Sequence, residues 1–190
     1  MGKTKYILHG GAAKRETKNN KKFFIEIIRG LPKRPNILIV CYAKPQETWN
    51  ETLKAVKKTF SYTSPKKILN LELASDNTET FVEQIKVSNA IYLVGGNSHL
   101  LKEYLSQVPN LSELLTGKTV AGSSAGALVL SKYFYENDDD TYNDGLNILP
   151  FKILCHYTKE NSNKLEKMKK INDNTKILAI EEEHFVIIEQ

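Results

Sequence analysis

Short apolar runs alternate with amphipathic segments through the first two-thirds of the chain, and several of these runs end on turns of small residues. Strand-like runs cover residues 5–9, 36–43, 67–73, 90–94 and 119–122, and helix-like segments cover 20–29, 47–60, 78–87 and 98–107. A strand that is apolar along nearly its whole length has both faces covered, and helices on right-handed crossovers supply that cover. The pattern predicts an α/β fold, a three-layer sandwich around a mostly parallel central sheet. Further on, 148–157 reads as another strand region, 160–170 as a helix, and 177–180 with 185–188 as a small C-terminal hairpin. In the 160–170 helix, Leu165, Met168 and Ile171 form the packing stripe. Neither a repeat nor a low-complexity linker divides the 190 residues, and a 41% hydrophobic content suffices for one substantial core, so a single domain over 1–190 is expected.

In an open parallel sheet, ligands bind beyond the carboxyl ends of the strands. The glycine turns fall there: His9-Gly10-Gly11 after the first strand, Gly95-Gly96-Asn97 after the fourth, and Gly122-Ser123-Ser124-Ala125-Gly126 after the fifth. The last has the Gly-x-Ser-x-Gly pattern of a nucleophile elbow, a strained strand-to-helix turn that projects the Ser124 hydroxyl above the sheet edge. A helix-like segment begins near Ala127. The amides after Ser124, Ala125 first, would therefore point into the same space from the positive end of a helix dipole and could hold an oxyanion. Small residues at such a turn also suit tight packing or a phosphate cradle. Three turns converging on one rim favour a site.

A serine hydroxyl needs a base, usually a histidine held in the right tautomer by a third group. Of the four histidines, His9 and His99 lie beside glycine turns, His184 lies in the expected hairpin, and His156 ends the run Phe151-Lys152-Ile153-Leu154-Cys155. A strand end aims an imidazole rigidly, so His156 is the first choice. The interval of 156 − 124 = 32 residues is short for an ordinary α/β-hydrolase esterase, whereas the five-strand lead-in suits a flavodoxin-like sandwich.

The formal charge is +5, but the lysines are spread over helix-like segments and interrupted by Glu and Asp, which reads as a solvated surface and not a nucleic-acid site. No run approaches the roughly 18 apolar residues of a membrane span, and the first residues show no signal region. A soluble, cytoplasmic protein without a membrane partner is expected. Cys41 and Cys155 lie in or beside apolar runs without metal-ligand spacing, which suggests buried free thiols and no metal.

Five segments taken together carry a more specific resemblance: Gln46-Glu47-Thr48-Trp49, Tyr92-Leu93-Val94-Gly95-Gly96-Asn97, Gly122-Ser123-Ser124-Ala125-Gly126-Ala127, Leu146-Asn147-Ile148-Leu149-Pro150 leading to His156-Tyr157, and Leu178-Ala179-Ile180-Glu181-Glu182. They run through nearly the whole chain, which resembles peptidase E, the aspartyl dipeptidase family of serine peptidases that includes cyanophycinase-like enzymes. Its fold is similar to that of class I glutamine amidotransferases. The resemblance implies Ser124 as nucleophile, His156 as general base, and the amides of Gly96 and Ala125 as the oxyanion hole. Two positions resemble the family's third catalytic residue, Glu182 and Asp138; Glu182 could orient His156 from an adjacent strand and is preferred, with Asp138 as the alternative.

Asn97 and Lys164 are the implied substrate-binding residues, and no cofactor or metal is implied. The expected partner is a small peptide, and a homodimer is compatible with the pattern. Two departures bear on specificity. Asn161-Ser162-Asn163-Lys164 replaces a Gly-Glu-Thr-Arg-like stretch, so Lys164 would bring charge without an arginine's bidentate fork, and Glu183 stands where the family has a small residue. A binding protein without turnover and an esterase or amidase of broad specificity are the alternatives to an aspartyl dipeptidase.

Overall fold

The fully apolar runs become the centre of a six-stranded sheet. In a computed structural model, which describes residues 2–65, 67–170 and 174–190, β1 (Lys5–His9), β2 (Asn36–Val40), β3 (Asn70–Leu73), β4 (Ala90–Leu93) and β5 (Thr119–Ser123) lie parallel in the order β1-β5-β4-β2-β3. Ile7, Leu8, Ile37, Ile39, Val40 and Val120 are fully buried. Each such side chain stabilises the fold by about 1.5–3 kcal/mol relative to exposure. The strand expected over 67–73 shrinks to β3, an edge strand whose Asn70 and Glu72 face solvent.

Helices α1 (Lys18–Ile27), α2 (Trp49–Thr63), α3 (Thr78–Val87) and α4 (Ser98–Ser106) connect these strands, with the single turn α5 (Leu111–Leu114) before β5. Right-handed crossovers place α1 and α2, which lead outward to β2 and β3, on one face, and α3 and α4, which lead back, on the other. Phe24 of α1 meets Phe60 of α2 edge-on at 5.2 Å and Tyr92 of β4 at 5.7 Å. Side chains of Thr17, Asn77 and Asn97 cap α1, α3 and α4 by accepting the amides of Asn20, Thr80 and Leu100. Each cap stabilises its helix by about 1 kcal/mol.

The run expected as strand over 36–43 stops at Val40, because residues 41–43 turn over the loop that follows β4. There the Ala43 carbonyl accepts the Asn97 amide at 2.8 Å. The helix after the elbow is one turn, α6 (Ala125–Leu128), after which the chain enters a second sheet that the sequence pattern signalled only in part. This sheet contains β6 (Ser131–Glu136), β7 (Thr141–Asp144), β8 (Leu149–Cys155) and β9 (Ile177–Ile180) in the order β7-β6-β8-β9. Helix α7 (Ser162–Lys169) buries Met168 with Tyr135 and Leu154, and Leu165 packs against them. Ile171, expected on the same stripe, lies outside the described residues.

The C-terminal hairpin does not form. β9 runs parallel to β8, pairing Leu178 with Ile153, while β10 (Phe185–Glu189) runs antiparallel to β1 in the other sheet, pairing Ile187 with Ile7. Each strand thereby finds a longer apolar partner than its neighbour in sequence would offer. Residues 181–184 bridge the two sheets, with Glu183 at a φ of 63° turning the chain. This bridge carries Glu182 to the carboxyl ends of the strands.

Candidate active site

Ser124 follows β5 with φ 50° and ψ −115°, a conformation that non-glycine residues rarely adopt. Its amide donates to the His9 carbonyl at 2.9 Å, and its carbonyl accepts the amides of Ala127 and Leu128. The glycines of the motif are required by packing: a Cβ on Gly122 would stand 2.2 Å from the Gly126 carbonyl oxygen, and one on Gly126 2.2 Å from that of Leu93. The loop after β4 lies against the serine, since a Cβ on Gly95 would come within 3.3 Å of the Ser124 Cβ. Among the described residues, the amides of Gly96 and Ala125 donate to no acceptor.

The Ser124 Oγ lies 2.8 Å from His156 Nε2, and His156 Nδ1 lies 2.8 Å from Glu182 Oε1. A carboxylate facing Nδ1 keeps the proton there and leaves the Nε2 lone pair to accept from the serine hydroxyl. His156 ends β8 at a φ of 54°, with its amide donating to the Gly10 carbonyl and its carbonyl accepting from the Asn161 side chain. The second Glu182 oxygen accepts from Arg15 Nη1 at 2.5 Å, and the same nitrogen reaches Glu183 at 3.3 Å. The hydrogen bond from His156, aided by Arg15, holds the Glu182 carboxyl below its ordinary value of 4.5. The His156 and Glu182 side chains are 37% and 36% exposed, so the centre is open to a ligand. A cleft of about 370 Å³ lined by His156, Tyr157, Thr158, Lys159, Glu181 and Glu182 opens beside it.

The structure separates the two acidic candidates. Asp138 is exposed in the turn between β6 and β7, where its neighbours Asp139 and Asp140 face His99 at 3.6 Å and Lys167 at 2.6 Å. Glu182 meets His156, and Asp138 does not. Asn97 uses its side-chain oxygen to cap α4. Lys164 donates to Asn137 Oδ1 at 2.9 Å and lies over the Tyr135 ring, so the hairpin anchors it.

Of the other histidines, His99 and His184 are exposed, and His9 is buried behind the elbow. Sequence reasoning missed Arg15, whose position four residues past the glycine turn marks it as a rim residue; its partner becomes visible only once β9 and β10 are placed in different sheets. Cys41 and Cys155 are buried free thiols, and burial pushes the Cys41 thiol up to about 12. Among the described residues no group of three or more His, Cys, Asp or Glu converges as a metal site, and no helix is long and apolar enough to cross a membrane.

This arrangement has relatives. An uncharacterized peptidase of Listeria innocua serovar 6a is 28% identical over 126 residues, 60% of this chain and 60% of that protein. One of Listeria monocytogenes serovar 1/2a is 29% identical over 100 residues, 46% of this chain and 49% of that protein. Both matches span less than two-thirds of the relative's length. Two crystal structures share the fold: a peptidase from an acI-B1 Actinobacterium, with a TM-score of 0.68 and 21% identity over 98% of this chain and 83% of that one, and a candidate peptidase E protein from Listeria monocytogenes EGD-e, with a TM-score of 0.67 and 20% identity over 100% of this chain and 98% of that one. The family profile described as peptidase family S51 matches residues 6–190, and the chain belongs to that family.

Proposed function

We propose that this chain is a serine-type peptidase that hydrolyses small peptides through an acyl-enzyme on Ser124. The observation that carries the reading is the continuous hydrogen-bond chain from Ser124 Oγ through the His156 imidazole to Glu182, with both links at 2.8 Å. In the first step His156 Nε2 takes the hydroxyl proton as Ser124 Oγ attacks the scissile carbonyl carbon. Negative charge then develops on the carbonyl oxygen, and the amides of Gly96 and Ala125 are the donors we assign to it. His156 returns its proton to the leaving amine, the C–N bond breaks, and a water activated by the same imidazole releases the acyl group. Glu182 stays ionised and stabilises the imidazolium that forms in each step. No cofactor enters this scheme.

For the substrate we propose short peptides with an acidic residue on the acyl side. Among the described residues the Lys164 ammonium donates to the Asn137 oxygens and lies over the Tyr135 ring, and it acts on the Asp140 carboxylate without a direct ion pair, so a substrate carboxylate can still pair with it. Asn97 has an amide nitrogen to offer to the same ligand once its oxygen has capped α4. Two buried free thiols suit a reducing, cytoplasmic setting.

The test is a panel of Asp-X and Ala-X dipeptides and p-nitrophenyl esters, run with the wild-type chain and Ser124→Ala. Dipeptide turnover with Asp-X preferred is expected, and Ser124→Ala should lower kcat by about 10⁴-fold or more. Turnover of esters alone would overturn the peptidase reading in favour of an esterase.

A further inference from the structure

The exit of β1 supports all three parts of the site at once. Consecutive carbonyls of His9, Gly10 and Gly11 accept the amides of Ser124, His156 and Glu183 at 2.9, 2.9 and 3.0 Å. These donors come from the end of β5, the end of β8 and the bridge between β9 and β10, so the bonds join segments that are remote in sequence. Each donor residue also has a left-handed φ, 50°, 54° and 63° respectively. Strained backbone of this kind persists only where its surroundings over-determine it. The position of three carbonyls therefore sets where the serine oxygen, the imidazole and the carboxylate stand relative to one another.

Two of those carbonyls belong to glycines that cannot be replaced without collision. A Cβ on Gly10 would stand 2.0 Å from the Glu181 carbonyl oxygen, and one on Gly11 2.1 Å from the Cε1 of His156. A glycine pair has no side chain with which to hold itself and is the most mobile backbone a chain can offer. The Gly10 amide is tied to the His184 carbonyl at 2.9 Å, and the Gly11 amide needs a partner of its own.

The His9 side chain is placed to supply it. It is fully buried, packs on the Phe23 ring with centroids 4.4 Å apart, and uses both ring nitrogens. Nδ1 accepts the Gly11 amide at 3.2 Å and stands 3.3 Å from the Ser123 hydroxyl, beside the nucleophile. Nε2 faces Asn20 Oδ1 at 2.8 Å. The Asn20 amide nitrogen in turn donates to the carbonyls of Ala12 and Arg15 at 2.9 and 2.8 Å, fixing the loop from which Arg15 reaches Glu182. An acceptor at Nδ1 and a donor at Nε2 define one neutral tautomer. Burial lowers the pKa of the ring to about 4, so this tautomer is kept at neutral pH.

We propose that His9 is a positioning residue for the reaction: its neutral imidazole clamps the β1 exit so that the carbonyls of residues 9–11 hold Ser124, His156 and Glu182 in reactive register. The proposal rests on the reading of Ser124 as nucleophile. His9 itself touches none of the reacting atoms; it acts through Gly11, Ser123 and Asn20.

The test is the rate at which an alkyl fluorophosphonate labels Ser124 in the full chain, resolved into a limiting rate and a half-saturating concentration and expressed per folded molecule by parallel thermal unfolding. His9→Leu should lower the limiting rate by about 10²-fold, the cost of misplacing reacting groups by a fraction of an ångström to an ångström, with half-saturation changed less than about twofold. His9→Asn, whose side-chain oxygen can accept the Gly11 amide, should recover about tenfold of that loss. A merely structural histidine would lower the unfolding midpoint and leave the rate per folded molecule alone; that result, or His9→Asn labelling no faster than His9→Leu, would overturn the proposal. If His9→Leu yields no folded protein, His9→Asn against wild type decides: a limiting rate about tenfold lower supports the clamp, and an equal rate refutes it. A wild-type chain that takes no label would instead remove the nucleophile reading itself.

Discussion

Glu182 and Asp138 are both carboxylates in turns beside strands of the second sheet, and they differ in what stands behind them. Around Glu182 the chain is tied at every step: the Tyr157 amide donates to the Ile180 carbonyl, the Glu183 amide to Gly11, and the Gly10 amide to His184. Asp138 sits at the exposed tip of the β6–β7 hairpin, where neighbouring carboxylates pair with exposed lysine and histidine side chains. Solvent screens such pairs, and they contribute little to stability or to fixed placement. Charge alone does not bring a carboxylate into a site. A fixed backbone does, because an imidazole can be held in one tautomer only by an acceptor that stays put.

The comparison can be broken most directly by truncating each acid in turn. Glu182→Ala should lower kcat by about 10³–10⁴-fold, the scale on which loss of an orienting acid acts. Asp138→Ala should leave kcat and KM within about twofold of wild type, as expected for an exposed turn residue. Steady-state kinetics on one dipeptide reads both, and a reversed ranking would transfer the role to Asp138.

A smaller effect should come from Arg15, which braces Glu182 from the solvent side. Arg15→Met should lower kcat by about threefold to fivefold, the modest scale expected for loss of a solvent-screened ion pair. The sign of its pH dependence follows from the Glu182 carboxyl being held below 4.5 in the folded chain. A depressed carboxyl contributes stability that is present above its unfolded value and is lost as the pH falls through the folded one. The gap between the unfolding midpoints of wild type and Arg15→Met should therefore be widest above pH 4.5 and close on further acidification. A gap that widens in acid would contradict the bracing role.

The five parallel strands of the six-stranded sheet were legible in the sequence because all but the edge strand β3 are largely apolar on both faces and their turns use glycine where a Cβ would collide. Those are local signals, and they also located Ser124. His156 was legible as a strand-end imidazole, though only its left-handed φ shows why β8 stops before it. The β6–β7 hairpin was missed because Tyr133, Phe134 and Tyr135 are buried unevenly and the strands are short. Its signal was a run of aromatic β-formers before the turn-forming stretch Asn137-Asp138-Asp139-Asp140. The two C-terminal strands were recognised but mispaired, since periodicity says which face of a strand is apolar and nothing about its partner. The Arg15–Glu182 contact spans 167 residues of sequence, and no local pattern carries such a distance.

The central claim is that Ser124 is a nucleophile activated by His156. Mass spectrometry of the chain after treatment with an alkyl fluorophosphonate tests it without any assumption about the substrate. One covalent adduct on the peptide containing Ser124 is expected in the wild type, absent from Ser124→Ala and formed at least about 10³-fold more slowly in His156→Ala. A wild-type chain that stays unmodified, or carries its adduct on another residue, would contradict the account.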